Sequence, residues 1–168
     1  MIGNKRRLSI GLLYLLCLGD AAPLHASGAD PDEALSRRDG EQFFQRYQAA
    51  LTERSAQRLE ALIAEDAVLR IALEQPGDEV PQQFTLPRHR FVQHRRTLWH
   101  FANDVRQQFD TPRYSPQAGG TLELRFTETE RHKLFGQDTG QRNAVTLTLG
   151  QRDGDIVILT LHSNSHLW

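Results

Sequence analysis

The spacing of apolar residues changes sharply near residue 65, and that change limits the fold more than any other feature of the chain. Before Ala64-Glu65-Asp66, apolar residues recur at helical spacing. Phe43, Phe44, Tyr47 and Leu51 form one stripe, and Leu59, Leu62 and Ile63 form a second. After it, Ala67, Leu69, Ile71 and Leu73 alternate with Val68, Arg70, Ala72 and Glu74, the pattern of a strand with one buried face. The last third keeps this two-residue period. Leu122, Leu124 and Phe126 alternate with Glu123, Arg125 and Thr127 in a strand from Thr121 to Phe135, followed by strands over Asn143 to Gly150 and Asp155 to His166. Helices first and an antiparallel meander last predict an α+β domain rather than a parallel sheet.

Turn and cap residues divide these segments. Asp39, three positions before Gln42, reads as a capping box opening the first helix, and Ser55 opens a second, short one. Pro76-Gly77 ends the first strand, and Phe84 falls in a short partner strand. Thr85 is positioned to cap a third helix that tolerates Pro87 in its first turn. On that helix Phe91, Leu98, Ala102 and Val105 share a narrow arc with His94 beside them, while His89, Arg96 and His100 project away. A further strand is expected near Val105 to Phe109, a turn over Gly136 to Gly140, and a tight hairpin at Asp153-Gly154. In the last strand Ile156 and Ile158 point one way and Val157, Leu159 and Leu161 the other. Both faces are then apolar, and a homodimer through the outer face of the sheet is the economical way to cover the second.

The first 26 residues carry Lys5, Arg6 and Arg7, the apolar stretch Leu8 to Gly19, and small residues up to Ala26. This is the layout of a secretory signal, with cleavage expected after Ala26 and Ala29 as second choice. The apolar run is too short for a span of roughly 20 residues, and no later stretch supplies one. The mature chain is expected to be periplasmic or secreted, with a flexible lead-in over residues 27–38 and one domain over residues 39–168. Cys17, the single cysteine, leaves with the signal, so disulfides and thiolate chemistry are excluded from the mature domain. Removal of the signal leaves 17 basic against 20 acidic residues, a net charge of −3, which argues against nucleic acid as a partner. Six arginines between Leu86 and Arg113 (Arg88, Arg90, Arg95, Arg96, Arg106, Arg113) stand out from that balance and read as a solvated helix face or a docking surface for an anion or an acidic partner.

The stretch from Glu41 to Leu51, leading into Leu62-Ile63-Ala64-Glu65-Asp66-Ala67-Val68 and closing on the hairpin from Leu149 to Ile158, resembles the nuclear transport factor 2-like superfamily, which includes SnoaL-like and ketosteroid isomerase-like proteins. The resemblance covers roughly residues 39 to 168. It implies a cone-shaped α+β roll, with N-terminal helices packed on a curved antiparallel sheet around a pocket, and frequent dimerisation through the sheet. The superfamily hosts isomerases, dehydratases, cyclases and non-catalytic binding modules, so the fold leaves the activity open. In the isomerases a tyrosine placed like Tyr47 donates to a developing enolate and an aspartate on the next strand removes the proton. The matching position here is Ile71, which accepts no proton.

The residues expected to face the pocket are Tyr47, His94, Trp99 and His162. His162 and His166 lie about 13 Å apart on a strand, too far for two ligands of one metal ion, and His89 and His94 fall on different faces of a helix. No metal site and no cofactor is therefore expected. No Gly-x-Ser-x-Gly, phosphate loop or dinucleotide fingerprint occurs. The expected function is an exported, non-catalytic domain binding a small hydrophobic molecule or a protein partner. The alternative is a lyase or isomerase of the same fold acting on a small hydrophobic substrate with Tyr47 and His94 as its polar groups.

Overall fold

The computed structural model describes residues 34–77 and 79–168. The signal segment, Cys17 and the first part of the lead-in lie outside the described residues. Two helices open the fold, α1 (Arg37–Thr52) and α2 (Ala56–Ala61), followed by strands β1 (Ile63–Glu74) and β2 (Gln82–Leu86). Helix α3 (Arg88–Phe101) then leads into β3 (Ala102–Phe109), β4 (Arg113–Pro116), β5 (Leu122–Leu134), β6 (Gln137–Arg152) and β7 (Asp155–Leu167). One sheet holds all seven strands in the order β2-β1-β7-β6-β5-β3, with β4 also paired to β5. All pairings are antiparallel except β1 with β7, which are parallel, so the sheet is mixed rather than purely antiparallel. No helix among the described residues is long and apolar enough to cross a membrane.

Local chemistry sets the element ends. The N-cap of α1 is Ser36, not Asp39. Ser36 Oγ accepts from Asp39 N at 3.3 Å and Asp39 Oδ2 accepts from Ser36 N at 2.8 Å, so the box closes one turn earlier than the sequence spacing suggested. Leu35, placed in the lead-in by sequence, is buried, and its backbone N–H donates to Gly120 O at 3.1 Å. Ser55 caps α2 as expected, accepting from Arg58 N. Thr85 does not cap α3, because it belongs to β2. The N-cap is Pro87, which makes no side-chain cap bond. Ala102 and Val105 lie on β3, beyond the end of α3. The turn expected over Gly136 to Gly140 is tighter: Phe135 and Gly136, both at positive φ, make a two-residue hairpin and let β6 start at Gln137.

Strand register decides which side chains face the helices. Leu69, Leu161, Leu147 and Leu124 pair across four neighbouring strands and are almost wholly buried. Phe43, Phe44, Tyr47, Ala50 and Leu51 of α1 join the same core. Helix α1 sits so close to the sheet that a β-carbon on Gly40 would fall 2.6 Å from Leu122 Cδ2. A one-residue bulge interrupts β7: Leu149 pairs with Ile158 and Thr148 with Thr160, leaving Leu159 as the extra residue. Ile158 and Leu161, expected on opposite faces, are thereby both turned into the core. That pair no longer argues for a second covering layer. The outer face carries Arg70, His162, Thr146 and Arg125 in one cross-strand row, with Val68 exposed two residues before Arg70.

Candidate functional site

A cavity of about 480 Å³ lies between α3 and the inner face of the sheet. Its apolar wall is Ile71 and Leu73 from β1 with Phe84 and Leu86 from β2. Its polar wall comes from four elements: Tyr47 on α1, Arg95 on α3, Glu128 on β5 and Asn143 on β6. Ser163 and Ser165 of β7 lie between the two walls and share a hydrogen bond of 3.1 Å. Arg90, Gln93, His94 and Thr97 line the cavity and are also exposed, so they mark its mouth.

The polar wall is organised by one buried cation. Arg95 Nη2 donates to Glu128 Oε2 at 3.2 Å and Nη1 to Glu130 Oε2 at 3.3 Å. Gln107 Nε2 donates to Glu130 Oε2 at 3.0 Å, and Asn143 Nδ2 to Glu128 Oε2 at 3.4 Å. Both carboxylates are 0% exposed, so the guanidinium that bridges them is what makes their burial tolerable. Burial disfavours the charged guanidinium, but Glu128 and Glu130 outweigh it and hold the Arg95 pKa above its ordinary value. For Glu128 burial dominates and raises the pKa, with Arg95 opposing. The Tyr47 hydroxyl is pushed up as well, by burial first and by the Glu128 charge second. His132 Nδ1 approaches Glu130 Oε1 to 3.1 Å without the alignment of a hydrogen bond.

Of the four residues expected to face the pocket, Tyr47 and His94 do so. Tyr47 sits in the polar wall. His94 sits at the mouth, where burial and then the neighbouring Arg95 charge lower its pKa and keep the imidazole neutral at pH 7. Trp99 is buried but does not line the cavity, and its indole Nε1 has no partner among the described residues. His162 is on the opposite face of the sheet, 3.4 Å from Arg70 Nη1, because the bulge at Leu159 reverses the parity of the strand beyond it. Ile71, the position where a proton-abstracting aspartate would stand, does line the cavity.

The sequence reading missed Arg95, Glu128, Glu130 and Asn143. A signal for the carboxylates was present. The alternation Leu122, Leu124, Phe126 continues with the same parity through Glu128, Glu130 and His132, and all six are buried. Arg95 lies four residues after Phe91 and four before Trp99, both buried, so it shares their side of α3. Among the described residues no three His, Cys, Asp or Glu side chains converge on a point that could hold a metal ion.

No protein-family model and no curated protein sequence matches the chain. Solved structures do match in shape. A candidate scytalone dehydratase from Novosphingobium aromaticivorans superposes with a TM-score of 0.61 at 15% identity, over 76% of this chain and 82% of that one. The hexachlorocyclohexane dehydrochlorinase LinA-type3 from Novosphingobium barchaimii gives 0.57 at 14% identity, over 77% and 85%. A nuclear transport factor 2-like protein of unknown function from Pseudomonas putida gives 0.54 at 15% identity, over 76% and 84%. The fold is nuclear transport factor 2-like. Sharing of this fold by dehydratase- and dehydrochlorinase-named proteins and by a member of unknown function fits the rule that function resides in the site, not the scaffold. In this chain of that fold the site is a mainly apolar cavity closed on one side by Arg95 and Glu128, with Glu130 behind them on the same guanidinium.

Proposed function

We propose that this chain is an exported nuclear transport factor 2-like domain that binds a small, mainly apolar molecule in the cavity under α3 without converting it chemically. The observation that carries the reading is the state of Glu128. It is the one carboxylate among the cavity-lining residues, and its Oε2 is already held by Arg95 and Asn143. A general base must pass on the proton it takes up, whereas this carboxylate, although its Oε1 has no partner, is 0% exposed and its charge neutralises a buried guanidinium. The apolar wall and the cavity size are those of a small-molecule site. Export rests on the basic, apolar and small-residue layout of the first 26 residues.

The enzyme reading has one observation in its favour. His94 is neutral at pH 7 and lines the same cavity as Tyr47, so a lyase or isomerase would use His94 as base and the Tyr47 hydroxyl as donor to developing negative charge.

Uptake of pyrene, which has no hydrogen-bonding group, tests the cavity itself. The expected result is saturable binding with the emission of an apolar environment, lost when Leu86→Trp or Ile71→Trp fills the space and unchanged in His94→Ala. Uptake that survives both filling variants places the dye elsewhere and overturns the reading. Sequencing of the exported protein is expected to begin at Ser27.

A further inference from the structure

Glu128 and Asn143 are directly paired across β5 and β6, on the inner face, and Asn143 pairs in turn with Ser165 on β7. All three line the cavity. Glu128 is 0% exposed and Asn143 is 3% exposed, yet Glu128 Oε1 and Asn143 Oδ1 have no hydrogen-bond partner. Both are acceptors. The Asn143 amide is oriented by its neighbour: Nδ2 faces Glu128 Oε2 at 3.4 Å, and the reverse orientation would set two oxygens against each other. The strongest donor on this wall, Arg95, has both terminal nitrogens directed at carboxylates.

We infer that the cavity selects ligands carrying a hydroxyl or N–H donor over ligands of the same size that only accept hydrogen bonds. This rests on the binding reading above and names the ligand chemistry for that site. Buried acceptors without partners are costly, and their cost is relieved only by a group that donates. The terminal torsion of a glutamate is soft, so a small turn of the carboxylate brings Oε1 toward a ligand donor, with Arg95 following Oε2. A ligand carboxylate or ether presents lone pairs to lone pairs at the same place. The ligand class is therefore an apolar body ending in an alcohol, a phenol or an amide N–H, with the donor against Glu128 and Asn143 and the body against Ile71, Leu73, Phe84 and Leu86.

The test uses 1-decanol and methyl nonyl ether, isomers that differ by one donor, as competitors for bound pyrene on the full mature chain. Decanol is expected to bind at least about tenfold more tightly, equivalent to 1.4 kcal/mol. In Asn143→Leu the ratio of decanol to ether affinity is expected to fall. Equal affinities in the wild-type protein, or a preference for the ether, overturn the donor inference and leave the cavity reading standing. If neither competitor nor pyrene binds, the cavity reading fails and this inference falls with it. The wild-type comparison decides the matter even if Asn143→Leu does not fold.

Discussion

Arg95 on α3 reaches Glu128 on β5 with a 3.2 Å contact between Nη2 and Oε2, both groups buried and 33 residues apart in sequence. This ion pair ties the helix that roofs the cavity to the sheet that floors it. Glu130 adds a second contact from the same strand, so one guanidinium fixes α3 against two successive inward positions of β5.

Removing the cation leaves two buried carboxylates against Gln107 and Asn143 alone. Arg95→Met is expected to lower unfolding free energy by about 3–5 kcal/mol, the loss typical of a buried pair broken on one side. The double variant Arg95→Met, Glu128→Gln should recover part of that loss, because one of the stranded charges is then gone. Urea denaturation of the two variants and the wild type measures both steps. A single variant within about 1 kcal/mol of wild type would mean that the carboxylates are protonated or hydrated in the folded protein.

His94 gives a pH dependence whose sign is fixed by its surroundings. Its folded-state pKa lies below the ordinary value of 6.5, through burial first and Arg95 second. The unfolded chain therefore takes up its proton at higher pH than the folded one. The contribution is fully present above 6.5 and is lost as pH falls through the folded value. His94→Gln should flatten the stability curve between pH 6.5 and the folded value and leave stability at pH 8 nearly unchanged. Proton titration of His94 followed by NMR gives the pKa directly, and a midpoint at or above 6.5 contradicts the placement of the ring beside Arg95.

The homodimer expected from the sequence would use a face on which Arg113 pairs across strands with Arg125, Arg106 with Arg131, and Arg70 with His162. A two-fold axis through that face brings these arginines toward their copies. Association by this route is expected to tighten as salt rises from about 0.1 M to 1 M, where the Debye length falls from about 10 Å to 3 Å. Sedimentation velocity at the two salt concentrations is the check. A dimer that weakens with salt places the interface elsewhere, and a monomer at both removes the dimer.

The amino-acid sequence by itself determined the helices, the strands and most of their inward residues. Each of these depends on neighbours within a few positions: the stripe from Phe43 to Leu51, the alternation from Ala67 to Leu73, and the Asp153-Gly154 turn. The inward faces of Tyr47 and Ile71 followed from helix and strand periods, but their place at the cavity followed from the family resemblance. Tertiary structure alone decided the chemistry of the polar wall. A charged side chain on a buried face is tolerated only when a partner arrives from a distant segment, and nothing near Arg95 in sequence announces Glu128 or Glu130. The bulge at Leu159 had the same effect on His162: one extra residue, fixed by pairing with β6, reversed the faces of everything after it and carried the imidazole away from the cavity. Periodicity is a local property of the chain, whereas ion pairing and register are set between strands.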